Sequence, residues 1–280
     1  GEGRDKKALV ARSVGDKTPP WCLLGAGGGP CSSDESFLTL VEGYAEIPET
    51  NAITTPALTR VGGMRVRPAS PLEVLAAQRN AVLAREACNR AGRQGIPIMN
   101  SLATAESDIA FAAALHPKFG MRDSDGYMIC CMDPMKVDFA RLNKAAVALS
   151  LGGHIGMCFG PLLGGYAGGP EGTAVSNVAH HMMGVLTYQS SWLLPFTIHL
   201  RYVASSPRDM LWVISTMGQA ISRNTHLLSL NLNYTTAGPC TPMCLFETSA
   251  SVTAAVTAGL SIESLGVATN KHEDRTTPVE

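Results

Sequence analysis

The chain has 280 residues, of which 45% are hydrophobic and 16% are charged, so it can bury a sizeable apolar core. Lys and Arg number 22 against 23 Asp and Glu, and the resulting net charge of -1 argues against a nucleic-acid partner, which would need a basic excess. The apolar run 175–194 is interrupted by polar residues, so no membrane span is predicted, and the polar first residues show no secretory signal. We therefore expect a globular protein of the cytoplasm.

Extended apolar runs alternate with longer helical patterns along the chain. Residues 1–69 are rich in Gly and Pro and are predicted to be irregular, followed by βα units over residues 70–280 within a single domain, 1–280. The predicted strands are 96–100, 146–151, 196–202 and 228–234, and the predicted helices are 72–93, 138–145, 173–192, 207–224 and 241–259.

Two helix starts carry a recognisable capping pattern. Ser70 precedes Pro71, and Glu73 follows three residues later, which is the pattern of a capping box with proline at the first helical position. Ser206 precedes Pro207 in the same way. Both patterns predict a serine N-cap.

Strands that alternate with helices predict a parallel sheet, and their spacing of roughly 30 to 50 residues fits βα units with inserted loops. A doubly wound sheet has a similar pattern, so periodicity favours an α/β barrel only weakly. In a barrel, the chemistry lies at the carboxyl ends of the strands. Attention therefore falls on Met99, Asn100 and Tyr202 and on the loops 152–169 and 233–238.

The glycine run Gly25 to Gly29 could be taken for a dinucleotide-binding loop. Pro30 occupies the last position of the GxGxxG pattern, and no clear helix or acidic ribose partner follows. A flexible or substrate-side loop is the favoured interpretation.

The eight cysteines do not have the placement of a disulfide framework, and reduced thiols are expected. No CxxC, HExxH or paired Cys/His spacing indicates a metal site. Cys240 and Cys244 lie four apart near a predicted helix start, which suits either low-pKa thiols or ordinary buried cysteines.

Several separate blocks of the chain resemble one known family, the monomethylamine:corrinoid methyltransferases. Residues 237–250, AGPCTPMCLFETSA, are similar to a segment that follows a barrel strand in that family. The matching residues there are Gly238, Pro239, Cys240, Met243, Cys244 and Glu247. Further matching blocks, in the family's order and close to its spacing, are 12–17 (RSVGDK), 70–77 (SPLEVLAA), 91–95 (AGRQG), 164–169 (GGYAGG) and 267–271.

The resemblance implies a TIM-type (β/α) barrel that forms the interior part of a longer family chain, and it leaves open that strands are missing at both ends. It implies a methyltransferase of methylamine metabolism and methanogenesis, which moves a methyl group from a small methylated amine to cobalt. The corrinoid that carries this cobalt belongs to a separate partner protein, so no cofactor is bound directly. We also expect a homo-oligomer.

The positions that match the family's active site carry different residues in this chain. In the family, the strand after the AGR block ends in pyrrolysine, whose ring imine captures the amine nitrogen, and the matching position here is Met99. The family's active-site glutamate corresponds to Cys158, and its glutamine corresponds to Leu232. A thioether has no imine carbon and cannot form this adduct.

Two interpretations follow from these replacements. In the first, the chain is a methyltransferase that now uses a quaternary ammonium donor, which already carries its positive charge and needs mainly a partly aromatic site. In the second, it is a catalytically inactive scaffold. Cys158 as a nucleophile or ligand is a further alternative, although no His/Asp arrangement around it can be read from the sequence.

Candidate substrate-binding residues come from the loops and strand ends near the predicted mouth of the barrel. Phe159, Tyr166, Tyr202 and Tyr234 are candidate aromatic walls, and His181 matches a family histidine, with a satisfied core contact as its ordinary role. His199 and Arg201 alternate with apolar residues on a predicted strand, which would direct both to one face. The loop 164–169 suits an anion-binding turn or a tight loop.

Overall fold

A computed structural model of the protein describes residues 24–26, 30–100, 107–119, 122–131, 135–238 and 241–267. Eight strands in this part of the chain form a ring. They are β1 (Leu24–Ala26), β2 (Ala52–Thr54), β3 (Ile98–Asn100), β4 (Gly126–Cys131), β5 (His154–Phe159), β6 (Trp192–Pro195), β7 (Leu230–Thr235) and β8 (Ser261–Val267).

The strands follow one another round the ring in chain order. Hydrogen-bonded ladders join β1 through β6, and a further ladder joins β7 to β8. A parallel bridge between Leu193 and Ser229 links β6 to the start of β7, and β8 returns alongside β1. All of the hydrogen-bonded pairs in the ring are parallel. This is the arrangement of a TIM-type barrel, whose eight strands are all present here, and the predicted fold class is confirmed.

The helices pack against the outer face of the ring. Several begin at a residue whose side-chain oxygen accepts a hydrogen bond from the backbone N–H three positions later, namely Ser33, Ser107, Asp138 and Thr241. Within the described ranges, none is both long enough and apolar enough to cross a membrane. The helices are α1 (Asp34–Glu46), α2 (Pro71–Arg90), α3 (Asp108–Ala114), α4 (Phe139–Ser150), α5 (Pro170–Tyr188), α6 (Arg208–Asn224) and α7 (Pro242–Thr257), with a 3-10 turn at Pro117–Phe119.

The amino-terminal segment is more regular than the sequence predicts. It contributes α1 and the barrel strands β1 and β2, so the expectation of an irregular segment over residues 1–69 is wrong for its described part. Gly62 and Gly63 form the turn between the short strands Arg60–Val61 and Met64–Arg65, whereas Gly25 and Gly43 lie inside β1 and α1. That residues 1–280 form a single domain stays a prediction.

Short strand pairs outside the ring are Pro30–Cys31 with Ala57–Leu58, Arg60–Val61 with Met64–Arg65, and Leu162–Leu163 with Ile198–His199.

Side chains of each barrel strand alternate between two faces. On β5, Ile155 and Met157 face the helices, whereas Cys158 belongs to a different cluster inside the ring. We call this second set the interior cluster. Its buried members are Leu24, Ala52, Cys158, Trp192, Leu194, Leu230 and Leu232, and Met99, Met128, Cys130, Phe196, Leu228 and Tyr234 pack against them.

Strand predictions are correct at two places and wrong at two others. Strands β3 and β7 confirm 96–100 and 228–234, but residues 146–151 continue α4 as a helix. The predicted strand 196–202 is reduced to Ile198–His199, and β4, β5 and β6 were missed. A short apolar run fits a buried helix turn as well as a buried strand, and periodicity does not separate the two.

The predicted helices agree with the structure apart from their ends. Helix α5 stops at Tyr188 because Gln189 takes the left-handed conformation with φ 51°, so residues up to 192 are not helical. Ser70 is the N-cap of α2, but its hydroxyl donates to Arg67 O and makes no capping bond. The predicted capping box is therefore wrong in its contacts.

The second predicted serine cap is also wrong. Pro207, not Ser206, is the N-cap residue of α6, and the Ser206 hydroxyl instead donates to Glu247 Oε2. The Ser-Pro dipeptide marked the start of the helix correctly to within a residue. The Ser206 hydroxyl bonds to Glu247, which is distant in sequence, so the local sequence does not predict this contact.

Candidate functional site

Three predicted site positions meet inside the barrel. Met99 on β3, Cys158 on β5 and Leu232 on β7 all belong to the interior cluster, although they are far apart in sequence. Tyr234, two residues beyond Leu232, joins them and packs against Phe196 with ring centroids 5.0 Å apart. The interior therefore combines sulfur, aliphatic and aromatic surfaces, which provide polarisable contacts and no electrophile.

Two glycines make room for large side chains in this interior. A Cβ at Gly126 on β4 would overlap the Met99 sulfur, and a Cβ at Gly156 on β5 would overlap the Trp192 ring. Gly126 pairs with Met99 and Gly156 pairs with Trp192 across neighbouring strands. Glycine at these points allows the adjacent side chain to lie flat against the strand.

Two cysteines lie side by side on neighbouring strands of the interior. Cys130 on β4 is the strand partner of Cys158 on β5. The thiol of Cys158 donates a hydrogen bond to Cys130, which lowers the pKa of Cys130 against the opposing effect of burial, and Arg141 acts in the same direction. The same bond, together with burial, raises the pKa of Cys158. Of the two, Cys130 is the thiol that ionises more readily.

The interior also holds a carboxylate that the sequence analysis missed. Glu263 on β8 is 3% exposed, and its Oε2 has no hydrogen-bond partner among the described residues. Burial, with a contribution from the charge of Cys130, raises its pKa to about 8. A lone glutamate between apolar neighbours in the run 260–267 was the available signal, but no strand was predicted there.

Two candidate substrate-binding residues lie on the other side of the sheet. Phe159 is fully buried on the outer face, stacked on His180 at 5.3 Å and edge-on to His181 at 4.8 Å between ring centroids. His181 Nδ1 lies 2.8 Å from Asn177 O, and Nε2 lies 2.8 Å from Ser229 Oγ. The structure does not bring this pair to the barrel interior. Both ring nitrogens of His181 have hydrogen-bond partners in the core, which is the ordinary structural role given above as the alternative to substrate binding.

The predicted pairing of His199 and Arg201 on one strand face is wrong. The strand ends at His199, and Arg201 lies in an exposed turn, where its backbone N–H donates to His199 Nδ1. His199 Nε2 lies 3.4 Å from Asp209 Oδ2, and its ring packs on Tyr202. Arg201 lies 5.5 Å from the centroid of the same Tyr202 ring. His199, Arg201, Tyr202 and Asp209 thus form a group outside the interior cluster.

Tyr166 is half exposed in the glycine loop that follows the Leu162–Leu163 strand. Gly164 N donates to Gly168 O, and Gly168 N donates to Gly165 O, so these amides are used within the loop. Gly164 and Gly168 have φ of 84° and 73°, a conformation that favours glycine. Of the two predicted interpretations, the contacts favour a tight loop over an anion-binding turn.

An open cavity of about 760 Å³ lies among the loops that follow β5, β6 and β7. Tyr202 and Trp212 contribute aromatic surface, and Glu171, Asp209 and Glu247 contribute acidic groups. Glu247 organises the wall: its two oxygens accept bonds from the backbone N–H groups of Thr236 and Ala237. Of the predicted site residues, Tyr202 lines this cavity, whereas Met99, Cys158 and Leu232 do not.

No group of three or more His, Cys, Asp or Glu side chains in the described ranges is placed to hold a metal ion. Within the described part of the chain, no disulfide bond involves Cys31, Cys88, Cys130, Cys131, Cys158 or Cys244. Cys244 is buried at the start of α7, with its sulfur 3.7 Å from Thr235 Oγ1. The predictions for Cys240 and for most of the glycine run after Gly25 fall outside the described residues.

The comparison with protein families finds one match over the whole chain. The family model described as monomethylamine methyltransferase MtmB matches residues 1–280. Monomethylamine methyltransferase MtmB1 of Methanosarcina barkeri (strain Fusaro) is 34% identical over 287 residues, which cover 100% of this chain and 61% of the relative. MtmB1 of Methanosarcina acetivorans is 35% identical over 287 residues, with the same shares covered.

Solved structures agree with this result. The crystal structure of the Methanosarcina barkeri monomethylamine methyltransferase has a TM-score of 0.82 at 32% identity, covering 95% of this chain and 57% of that chain. The structure of the hydroxylamine MtmB complex has the same score and coverage. The carboxyl transferase domain of Rhizobium etli pyruvate carboxylase, with a TM-score of 0.52 at 8% identity, shares the fold alone. The chain thus spans less than two thirds of the length of its methyltransferase relatives.

Proposed function

Because this chain belongs to the monomethylamine methyltransferase family, we propose that it transfers a methyl group from a methylated amine to the cobalt of a separate corrinoid protein. The cobalt is the acceptor substrate, carried by the partner. One observation supports the proposal above all: the three positions that the resemblance assigns to the active site, Met99, Cys158 and Leu232, lie together in the interior cluster. A homo-oligomeric state and a cytoplasmic location stay predictions.

The side chains of the interior favour a quaternary ammonium donor. Neutral or protonated monomethylamine is a poor donor because its leaving group is poor, and Met99 offers no imine to activate it. A quaternary ammonium loses a methyl group to cobalt(I) as the N–C electron pair stays on nitrogen. The products are a neutral tertiary amine and methyl-cobalt(III), so no proton has to be managed. Sulfur and aromatic surfaces such as Met99 and Tyr234 suit such a cation.

Two other outcomes are open to measurement. The relatives named above are monomethylamine methyltransferases, so monomethylamine is the second candidate donor. An inactive scaffold is the third. The apolar packing round Met99, Cys158 and Leu232 is the observation that favours it, because a closed-up interior needs no substrate.

The test is methyl transfer to a reduced corrinoid protein, followed by the loss of cobalt(I) absorbance. The donors are monomethylamine, dimethylamine, trimethylamine and a quaternary series that includes tetramethylammonium. We expect turnover with quaternary donors and none with monomethylamine.

Each result has a defined meaning. Turnover with monomethylamine would show that Met99 does not prevent the family's reaction. Absence of turnover with every donor would overturn the proposed activity and favour the scaffold. The variants Met99→Ala and Met99→Leu test whether the Met99 side chain lines the donor-binding site. If it does, both substitutions should change KM more than kcat.

A further inference from the structure

Among the described residues, Glu263 is a buried acid of the interior that the proposed chemistry has not used. Ile262 packs with α6 and α7 on the outer face, so the next side chain, Glu263, points into the ring. The ladder that pairs Asn231 with Ile262 and Asn233 with Leu265 places Glu263 beside Leu232 on β7. It therefore lies next to one of the positions that the resemblance assigns to the active site.

This carboxylate has no charged partner in the part of the chain that the structure describes. None of the ion pairs there includes Glu263. Its Oε2 is buried without a hydrogen bond. Burying a carboxylate in this way is costly unless it is neutralised, and the observed environment supplies no neutralising group. A bound cation would supply the partner that this buried carboxylate lacks among the described residues.

The surfaces of the interior cluster favour a cationic ligand over a metal or a neutral one. Tyr234 and Phe196 present paired aromatic rings, and Met99 adds a polarisable thioether. Aromatic faces attract organic cations when water is excluded, and a buried carboxylate adds a full negative charge. The described residues offer no metal-binding group of three ligands.

We propose that Glu263 is the counter-ion for a methylated ammonium ion bound in the barrel interior, with Tyr234 and Phe196 as its aromatic wall. The inference rests on the proposed function, of which it names the substrate-binding carboxylate. In this proposal, an ion pair with Glu263 holds the amine, instead of the covalent adduct that the resemblance implies for the family. The methyl group then stays free to face the mouth of the barrel, where the acceptor approaches.

Proton linkage gives the proposal a direct signature. In the empty protein, burial and the charge of Cys130 raise the pKa of Glu263 to about 8, so the carboxyl is protonated at neutral pH. A permanent cation binds the carboxylate form and displaces this proton. Affinity should therefore rise about tenfold per pH unit below pH 8 and level off above it. The titratable groups whose charges act on Glu263, or on which its charge acts, are Tyr234 on the neighbouring β7 and Cys130 and Cys158 on β4 and β5.

The experiment is isothermal titration of the purified protein with tetramethylammonium chloride between pH 6 and pH 9, in buffers of different ionisation enthalpy. We expect release of close to one proton per cation at pH 6.5 and almost none at pH 9. Glu263→Gln should weaken binding at pH 9 by at least about tenfold and remove the pH dependence. Glu263→Asp, which keeps the charge, should restore part of both.

Two control variants separate Glu263 from other acids and thiols. Glu86→Gln removes a half-exposed carboxylate of α2 and should leave the titration unchanged. Cys130→Ser removes the neighbouring thiol, so the pH dependence should persist with its midpoint at lower pH. Circular dichroism of each variant checks that it is folded. If Glu263→Gln fails to fold, proton release by the unmodified protein still decides the matter.

Several results would overturn the proposal. They are absence of tetramethylammonium binding at every pH, binding without proton release at pH 6.5, or equal binding by the unmodified protein and folded Glu263→Gln. The proposed function fails separately. Binding with the expected proton release but no methyl transfer would reject the activity and keep the ion pair, whereas turnover unaffected by Glu263→Gln would reject the ion pair alone.

Discussion

Gly156 shows how one missing side chain shapes the barrel interior. The Trp192 ring occupies the space that a Cβ on Gly156 would need, and the two residues are strand partners. Backbone freedom is not the reason for glycine here, because Gly156 is not among the residues with positive φ. The position needs glycine because of the volume of its neighbour.

We predict that Gly156→Ala destabilises the protein by about 1–3 kcal/mol, because a rigid indole ring or the strand itself has to shift. Trp192 fluorescence should change in the folded state. Chemical denaturation followed by far-UV circular dichroism measures the free energy of unfolding. Gly95→Ala is the matched control, since nothing lies within 4 Å of its added Cβ. Equal losses in both variants would contradict the argument.

Helix α5 shows how a whole element is attached by buried polar groups. Its inner face carries Asn177 and His181, both fully buried. Asn177 Oδ1 accepts a bond from Thr197 Oγ1, and His181 Nε2 bonds to Ser229 Oγ, so the helix is held to the segments beside β6 and β7. These bonds satisfy groups that would otherwise be costly to bury.

The buried histidine predicts an acid weakness of the fold. Burial lowers the pKa of His181 to about 4, from an ordinary value near 6.5. As pH falls from 6.5 to 4, the unfolded state binds a proton that the folded state does not, so stability falls by up to about 3 kcal/mol. Unfolding free energies measured between pH 4 and pH 7 should show this slope.

The variant His181→Leu should reduce the slope and also lower stability at pH 7, because Ser229 Oγ loses its partner. The exposed His116 provides the control, and His116→Leu should retain the slope. An unchanged slope in His181→Leu would mean that another group causes the acid weakness.

Across the molecule, the ends of the barrel are built differently. At the amino ends of β3 and β4, buried Asp125 accepts bonds from Ile98 N at 2.8 Å and Arg122 N at 2.8 Å. It also pairs with Arg85 of α2 at 2.5 Å. One carboxylate thus ties two strands and a helix together at this end. The open cavity lies among loops at the opposite, carboxyl end.

We predict that Asp125→Ala lowers the free energy of unfolding by about 3–5 kcal/mol, because it leaves a buried guanidinium without its anion. The exposed pair of Arg79 and Asp34 offers a matched comparison, with both side chains 46% exposed. Asp34→Ala should cost no more than about 1 kcal/mol. Thermal or urea unfolding measures the free energy of unfolding of both variants. Similar losses in the two would show that the buried ion pair of Asp125 does not stabilise the fold more than the exposed pair does.

Local patterns predicted the helices well and the strands less well. Helices α2, α6 and α7 lie within a few residues of their predicted spans, because each helical run is too long to be taken for a strand. Strands β5 and β6 were missed because their residues are buried on both faces and show no clean alternation. The run 146–151 is also mainly apolar, but its residues up to Ser150 belong to α4.

The family, its barrel and the prediction that Met99 stands at the position of the family's adduct-forming residue follow from the order of residues along the chain, since matched blocks and periodic patterns are local properties. Which residues share the interior is different. Phe159 and Cys158 are neighbours in sequence, yet they face opposite sides of one strand. The charge of Cys130 on β4 raises the pKa of Glu263 on β8. Which side chains lie together inside the barrel depends on strand register and on ring closure, and both are set by contacts between distant segments.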